Sequence, residues 1–462
     1  MKKPSDKPIY SKFLDQGTFG CIYKPDIPCD NEKASKSKGY ISKLQRKTTE
    51  IDKEEIIGKR IVDEIPGYSA YFAPIISSCS VKIDAIQSKE AAKCKIVSDS
   101  DSGTEGRRRP RMGSKAADLE SVPQGKDSEQ IANSQIVYKS YKMRYAGRKS
   151  LGKHMVSIIK KNPKNIIKKM LEQQLYILKS VEKLNTLSLP IVHYDLKENN
   201  IIYDDVNGVP IIIDFGLSFD LDVTKPYVHS EFVDKYYVFY EKYPPWCIDI
   251  VILSYIVQEI VDYQRRDIHS TLDAADIKDL HKICREFVET SDVFTAGFST
   301  DELESYLKHL LESVSGYLDK QWNDLFQDLQ KGYASWDNYS VAVIYLFFIH
   351  DIVTSKKKIN NRVLDNYRAV LKNVVLGGSL SNSTTIESES VAFELQRPSR
   401  PTAKQTIDEL KTLQKNTDKK EYEHLRKEID TIIRLNPSRT DDIETSIHKR
   451  ALQGANRDEK NK

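Results

Sequence analysis

The residues best suited to chemistry lie in two short stretches of the sequence. The first, HYDLKENN, runs from His193 to Asn200, and the second is the DFG triplet that begins at Asp214. They supply a carboxylate that could accept a hydroxyl proton, and an amide and a second carboxylate that could hold a cation. Phosphoryl transfer needs such groups, because it depends on a positioned nucleophile and on neutralised phosphate charge. We expect Asp195 to accept the proton of the attacking hydroxyl, and Asn200 and Asp214 to bind the cation.

The segment between these stretches predicts a β-hairpin that brings them together. Asp214 lies 19 positions after Asp195, and residues 201–213 contain two β-branched runs around Asn207-Gly208. An Asn-Gly pair between apolar runs is a strong signal for a tight turn.

Together the two stretches resemble the catalytic loop, H-R-D-L-x-x-x-N, and the metal-binding turn, D-F-G, of eukaryotic-type Ser/Thr protein kinases. The resemblance implies that Asp195 accepts the proton of the substrate hydroxyl and that Lys197 steadies the γ-phosphate of ATP. It also implies that Asn200 and Asp214 hold Mg²⁺, with Mn²⁺ as an alternative ion. His193 is expected to have a structural role.

One residue of this loop departs from the family pattern. Tyr194 stands where most members have an arginine, which binds a phosphate on the activation segment and couples phosphorylation to order. The chain is therefore predicted to lack that switch. The substitution, the stretch GTFGCIYKP at residues 17–25 and the bulky insertions also resemble the divergent kinases of large DNA viruses.

The stretch LDQGTFGCIY, which begins at Leu14, resembles the glycine-rich loop of the family. Glycines in such a loop let the backbone approach phosphate groups closely. Gly17, Gly20 and Ile22 are the expected nucleotide-binding residues. Asp15 occupies the position of the first glycine of the family pattern, and it is the weakest part of the match.

The stretch YISK resembles the strand whose lysine contacts the α- and β-phosphates, which selects Lys43. A carboxylate on the following helix is expected to hold that lysine. Residues 51–65 have helical periodicity, with an apolar stripe formed by Ile57, Ile61 and Ile65. Glu54 extends this stripe, whereas Glu55 points about 100° away. We therefore prefer Glu54 as the partner and keep Glu55 as the alternative.

The stretch YKMRYAG resembles the passage from strand to hinge that receives adenine. Met143 is expected to lie behind the base. Arg144 and Ala146 are expected to contribute backbone groups.

The segment after DFG contains KYYVFYE, which resembles the R-Y-Y-R-A-P-E end of the activation segment. By this likeness Glu241 pairs with an arginine near the end of the large lobe, and Arg400 is the candidate. Asp249 resembles the start of the helix that anchors the catalytic loop. Asp337 is a rival for that role. The distance from DFG favours Asp249 and the distance to Arg400 favours Asp337, and we prefer Asp249. Residues 262–335 are then an enlargement of the helical lobe.

These motifs predict an α+β fold with two lobes, a small β-rich N-lobe and a larger, mostly helical C-lobe. The N-lobe is placed at residues 1–146, with a disordered insert at 87–134 that is rich in Ser, Lys, Asp, Gly and Glu. The C-lobe is placed at residues 147–415, and residues 416–462 form a charged tail.

The amino-acid composition limits the binding partners and the cellular compartment that we expect. The 462 residues include 71 basic and 67 acidic side chains, a net charge of +4 that gives no case for nucleic-acid or membrane binding. No signal peptide or run of eighteen apolar residues occurs. Six cysteines show no metal-ligand spacing and no dense disulfide framework, which favours a reducing compartment. A cytoplasmic protein is expected, in the host cytoplasm or the virion if it is viral.

The predicted activity is ATP-dependent phosphorylation of Ser or Thr hydroxyls in protein substrates by a monomeric enzyme. Lys197 favours Ser/Thr over Tyr, because tyrosine-specific relatives usually place Arg at that position or two residues later. Two alternatives remain: a pseudokinase scaffold, which Asp15 and Tyr194 favour, and a small-molecule kinase that shares the loop chemistry.

Overall fold

The computed structural model describes most of the chain, namely residues 11–16, 20–29, 39–46, 53–81, 86–98, 138–225, 229–236, 242–353, 359, 361–377, 400–436 and 438–455. The chain divides into two compact units. The first comprises residues 1–55, 75–145 and 453–462, and the second comprises residues 56–74 and 146–452.

The first unit is built on an antiparallel sheet of five strands. These are β1 (Lys12–Gln16), β2 (Cys21–Lys24), β3 (Tyr40–Arg46), β4 (Ile75–Val81) and β5 (Tyr138–Arg144). Their order in the sheet is β1-β2-β3-β5-β4. Lys43 on β3 pairs with Ile22 on β2 and with Tyr141 on β5, so it lies on a central strand of the sheet.

Helix α1 follows β3 and runs from Lys53 to Glu64. Ile57, Ile61 and Ile65 are each at most 4% exposed, which confirms the predicted apolar stripe. Burial of one stripe at this spacing is what stabilises a short helix in a protein.

The start of the predicted disordered insert is ordered, so the prediction was wrong for residues 87–98. Helices α2 (Ser88–Ala91) and α3 (Lys95–Ser98) form there. Ala91, Cys94 and Val97 pack in one apolar cluster with residues of the sheet. The average composition of the insert hid these few apolar side chains. Residues 99–134 lie outside the described part of the chain.

Cysteine pairing also differs from the prediction. Disulfide bonds join Cys21 to Cys94 and Cys29 to Cys79, and they tie β2 and the loop after it to distant parts of the first unit. Cys247 and Cys284 are buried thiols. The sequence separations of 73 and 50 residues give no local signal of pairing. Disulfides favour an oxidising setting, so the argument from cysteines for a reducing compartment fails.

Short strands of the second unit surround the predicted hairpin. They are β6 (Lys149–Ser150), β7 (Ile191–Val192), β8 (Ile201–Asp204), β9 (Val209–Ile212) and β10 (Phe219–Asp220). Strands β8 and β9 pair antiparallel, which confirms the hairpin. Its turn is longer than an Asn-Gly pair, because Asp204 caps it by accepting bonds from the amides of Val206 and Asn207. Gly208 adopts φ 72°, which a glycine tolerates at no steric cost.

The region after residue 150 is largely helical. Its described helices are α4 (Leu151–Lys161), α5 (Ile166–Asn185), α6 (His229–Lys235), α7 (Ile248–Tyr255), α8 (Ala274–Thr290), α9 (Asp292–Thr295), α10 (Thr300–Ser315), α11 (Trp322–Gln330), α12 (Trp336–Val353), α13 (Arg362–Leu376), α14 (Ala403–Asn416), α15 (Lys419–Leu435) and α16 (Ser438–Ala455). A π-helix, Ile256–Asp262, continues α7, and a 3₁₀ turn covers Glu198–Asn200.

Helix α12 lies at the centre of the helical core. Its apolar residues surround the whole helix, a pattern typical of a fully buried helix. All residues from Trp336 to Ile349 are buried. The predicted enlargement at 262–335 supplies α8 to α11, and their buried side chains join the same core.

The predicted tail is part of the second unit as far as residue 452. Leu425, Ile429 and Ile433 form a buried stripe on α15, and Ile443 and Ile447 are buried on α16. The charged residues of this region occupy the other faces of the helices, which is why composition alone suggested a separate tail. Among the described residues, no helix is long and apolar enough to cross a membrane.

Candidate functional site

The two ends of the hairpin bring the catalytic-loop stretch and the DFG triplet together. The amide of Ile213 donates to the carbonyl of Asn200 at 2.9 Å, so the backbone before Asp214 lies beside Asn200. The ring of His193 contacts the Ile213 carbonyl through Nε2 at 3.0 Å. Asp214 adopts φ 63°, a strained conformation for a non-glycine residue that is typical of functional sites.

The carboxylate of Asp195 is the centre of the site. Asn200 donates its Nδ2 to Oδ2 of Asp195 at 2.8 Å and to the Asp195 carbonyl at 2.9 Å. Nζ of Lys197 lies 2.9 Å from Oδ2. The hydroxyl of Tyr243 donates to Oδ1 and accepts a bond of 3.0 Å from Lys197. Four polar side chains therefore share one network around the buried Asp195, while the Lys197 side chain remains 30% exposed.

Electrostatics keep Lys197 charged. Burial by itself would lower the pKa of Lys197, but the Asp195 carboxylate and the Tyr243 hydroxyl raise that pKa above its usual value. Lys197 is therefore a permanent cation near neutral pH. A fixed cation at this place can stabilise charge that develops on a transferred phosphoryl group.

The loop is anchored by Asp337, which corrects the predicted choice of Asp249. Asp337 at the start of α12 accepts the backbone amides of His193 at 2.8 Å and of Tyr194 at 3.0 Å. Its carboxylate is 1% exposed. Because a buried carboxylate here satisfies two buried amides at once, it holds the backbone on the N-terminal side of Asp195.

Asp249 instead forms a buried ion pair with Arg400. Trp336 also donates its Nε1 to this carboxylate at 3.4 Å. Glu241, the predicted partner of Arg400, lies outside the described residues. The choice of Asp249 as the anchor was wrong because it depended on the distance from DFG along the chain. The packing of helices around α12 determines which partner each carboxylate contacts.

Tyr194 lies in an aromatic cluster. Its ring is within 6.2 Å, centroid to centroid, of the rings of Phe219, Tyr236 and Trp246, and the residue is 4% exposed. Its carbonyl accepts a bond of 2.9 Å from Nε1 of Trp246, and its φ is 69°. An arginine would leave its charge buried among these rings. The aromatic contacts and the bond from Trp246 thus hold Tyr194 in place.

If the chain transfers phosphoryl groups, as the sequence predicts, we expect that transfer to be independent of phosphorylation of the chain. Treatment of the purified protein with a nonspecific phosphatase should leave phosphoryl transfer unchanged, because no arginine at position 194 is available to bind a phosphate. The measurement is transfer before and after treatment, with removal of phosphate checked by intact mass. Loss of most of the activity would contradict the expectation.

The first unit supplies a buried lysine–glutamate pair. Nζ of Lys43 lies 2.7 Å from Oε2 of Glu54, and both residues are less than 10% exposed. Glu55, the alternative partner, pairs with Lys139 at 2.7 Å and accepts a bond from Ser78. The helix periodicity that favoured Glu54 thus predicted the geometry.

The glycine-rich stretch is described in part. Gly17 lies outside the described residues. A Cβ atom at Gly20 would stand 2.8 Å from the carbonyl oxygen of Leu44, so a glycine is required there for the close approach to β3. Ile22 is on β2 opposite Lys43. This packing accounts for Gly20 without reference to a nucleotide.

The predicted hinge residues end β5. Met143 is 8% exposed and packs with Ile75 and Tyr141 in the sheet. Arg144 is the last residue of the strand, and Ala146 is buried in the second unit. Their roles in adenine binding remain predictions.

The side chains of Asn200 and Asp214 are of the chemical type that binds magnesium. The Asn200 amide donates through Nδ2 to Asp195, so its Oδ1 is the atom that can bind a cation, and Asp214 adds a carboxylate. Mg²⁺ in nucleotide sites takes oxygen ligands from one or two protein side chains and from the phosphates. Among the described residues, no group of three or more His, Cys, Asp or Glu side chains is placed to hold a metal ion.

Sequence reasoning missed two groups of residues at this site. Tyr243 opens the stretch Tyr-Pro-Pro-Trp, whose restricted backbone was the available signal for a fixed position. Glu198, between Lys197 and Asn200, bonds to Arg450 of α16 at 2.9 Å. No pattern in the sequence connects these two residues, which are 252 positions apart.

Comparisons with known proteins find partial similarities over short segments of the chain. The chain is 46% identical over 43 residues, 9% of its length, to the probable serine/threonine-protein kinase samkC of Dictyostelium discoideum. It is 30% identical over 82 residues, 18% of its length, to the probable inactive serine/threonine-protein kinase samkD of the same organism. The matched segments span 5% and 13% of those two proteins. No family model matches the chain.

The chain thus has distant, partial similarity to Ser/Thr kinases. Its five-stranded antiparallel sheet followed by a largely helical region is an α+β architecture consistent with a kinase-like fold. Both relatives are from Dictyostelium, so they give no support to the narrower resemblance to viral kinases.

Proposed function

We propose that this protein transfers the γ-phosphoryl group of ATP to Ser or Thr hydroxyls of protein substrates. The observation that carries the proposal is the arrangement around Asp195, a buried carboxylate bonded to Asn200 and Lys197 beside the strained backbone of Asp214. A positioned base, a fixed cation and two oxygen ligands for a metal are what the reaction requires.

In this mechanism Asp195 orients the acceptor hydroxyl and accepts its proton. A bond forms between the hydroxyl oxygen and the γ-phosphorus, the bond from that phosphorus to the β,γ-bridging oxygen breaks, and ADP leaves. Lys197 stabilises the negative charge on the transferred group. Lys43, held by Glu54, binds the α- and β-phosphates. Asn200 and Asp214 hold Mg²⁺, which neutralises phosphate charge when bound.

The test is a transfer assay on the wild type and on Asp214→Asn. Each protein is incubated with labelled ATP and Mg²⁺, either with a basic protein acceptor or with aminoglycoside-like and choline-like alcohols. We expect phosphoserine and phosphothreonine from the wild type, and none from the variant, because an amide is a weaker magnesium ligand than a carboxylate. Asp365→Asn removes a carboxylate that is 51% exposed on α13, and it serves as the matched control with unchanged activity.

Three outcomes separate the candidate functions. Equal turnover by Asp214→Asn and the wild type would refute the proposed site. Transfer to the alcohols alone would identify a small-molecule kinase. Stabilisation of the wild type by ATP against heat, without transfer to any acceptor, would identify a pseudokinase scaffold. Two observations favour this scaffold as the second candidate: the relative described as inactive and Asp15 in the glycine-rich stretch.

A further inference from the structure

The C-terminal helix α16 contacts the catalytic loop through one arginine. Nε of Arg450 donates to Oε1 of Glu198 at 2.9 Å, and Nη1 donates to Oδ2 of Asp351 on α12 at 2.8 Å. Glu198 and Asp351 are each less than 10% exposed. One guanidinium thus joins the loop, α12 and α16.

The position of this guanidinium is constrained on other sides. Ser446, one turn earlier on α16, donates to Oδ1 of Asp351 at 3.0 Å and accepts a bond of 3.0 Å from Arg450. The guanidinium lies 4.9 Å from the ring centroid of Phe347, a cation–π distance. Arg450 is therefore held by two carboxylates, a hydroxyl and a ring.

Helix α4 packs tightly against the same place. A Cβ atom at Gly152 would stand 2.6 Å from Oε2 of Glu198 and 2.6 Å from Cγ2 of Ile447 on α16. The approach therefore depends on a glycine at position 152, and Glu198 is enclosed between α4 and α16.

Glu198 belongs to the part of the loop that carries the reacting groups. It starts the 3₁₀ turn Glu198–Asn200, whose last residue bonds to the Asp195 carboxylate at 2.8 Å. The amide of Asn200 donates to the carbonyl of Lys197 at 3.0 Å, so the turn is a single compact unit of backbone. A force that holds Glu198 therefore also holds Asn200 relative to Asp195.

We propose that Arg450 is a positioning residue for phosphoryl transfer, and that α16 completes the site by holding the Glu198–Asn200 turn through this ion pair. The proposal rests on the proposed kinase function for its effect on rate. The contact itself can be tested without turnover.

The experiment compares Arg450→Met and Arg450→Lys with Arg434→Met in the full-length protein. Arg434 on α15 has a side chain that is 72% exposed and pairs with Asp430, which makes it a matched control for the loss of an arginine. The steady-state rate is measured at a temperature well below unfolding, as a function of ATP and of protein acceptor. Hydrogen exchange at residues 195–201 is measured by mass spectrometry on the same samples.

We expect Arg450→Met to lower kcat about 10- to 100-fold, the usual effect of misplacing a catalytic group by a fraction of an ångström to an ångström. KM for ATP should change little. Exchange at 195–201 should become faster than in the wild type. Arg450→Lys keeps the charge but reaches one carboxylate at a time, so its kcat should be intermediate. Arg434→Met should match the wild type in every measurement.

The proposal would be overturned if both Arg450 variants had the kcat of the wild type and the same rate of hydrogen exchange at residues 195–201. If Arg450→Met does not fold, Arg450→Lys decides in the same way, since it retains the cation that the buried carboxylates need. A wild type that transfers no phosphate would count against the proposed function. Faster exchange of the loop in the Arg450 variants would then still establish the contact, and unchanged exchange would refute it.

Discussion

Replacing Asp195 with Asn is expected to reduce kcat by about 10²- to 10⁴-fold, the range that a general base contributes. The substitution keeps the shape of the side chain and removes the carboxylate that is the proposed acceptor of the hydroxyl proton. Because the carboxylate also compensates the charge of Lys197 at 2.9 Å, its loss leaves that cation less constrained. The measurement is the steady-state rate of phosphate transfer to a protein acceptor at saturating ATP.

The matched control for this variant is Asp205→Asn. Asp205 lies ten residues further along the chain in the hairpin turn, and its side chain is 56% exposed. We expect it to keep wild-type kcat and thermal stability. A kcat for Asp195→Asn within about tenfold of the wild type would show that another group accepts the proton.

Replacing Arg400 with Met is expected to lower the free energy of unfolding by about 3–5 kcal/mol, the usual cost of breaking a buried ion pair from one side. The residue is 9% exposed, and its partner Asp249 would remain charged and buried without it. Burial by itself would lower the pKa of Arg400, but Asp249 raises that pKa above its usual value, so Arg400 remains a cation. Denaturant unfolding followed by tryptophan fluorescence measures the change, because Trp336 contacts this pair.

The double variant Arg400→Met/Asp249→Asn distinguishes two causes of the lost stability, namely an unpaired buried charge on Asp249 and the loss of packing by the Arg400 side chain. It removes both charges and keeps an acceptor for Nε1 of Trp336, so we expect it to recover most of the lost stability. Arg265→Met, which removes an arginine that is 56% exposed, is the control with little effect. Equal destabilisation of the single and the double variant would mean that the charge of Asp249 is not the cause.

Short-range features of the site could be predicted because short stretches of chain encode them. The hairpin at 201–213 follows from two β-branched runs around a turn signal, and β8 and β9 pair accordingly. The choice of Glu54 over Glu55 follows from the 3.6-residue period of one helix, and Glu54 is the residue that meets Lys43. Each feature depends on residues fewer than about fifteen positions apart, where backbone geometry limits the arrangements.

Other predictions failed where a choice between distant residues was needed. Asp249 and Asp337 both begin apolar helices. The distance from DFG favoured Asp249, whereas Asp337, which the distance to Arg400 favoured, is the residue that anchors His193. The insert at 87–134 was judged by its average composition, whereas Cys94 and its apolar neighbours pack on the sheet. The charge of a buried carboxylate must be balanced by a cation or by hydrogen bonds wherever the residue lies. The sequence does not reveal which distant residue provides them.

The sequence by itself identified the candidate chemical groups: an acid, an amide and a lysine within one loop, and a second acid one hairpin later. Only the tertiary structure decided which distant residues hold these groups in place. The Asp337 bond to His193, the Asp249–Arg400 pair and the Glu198–Arg450 bridge span 144, 151 and 252 positions. The physical reason is that local periodicity specifies which face of a helix is buried. The partner that a buried charge meets depends on how several helices pack around α12.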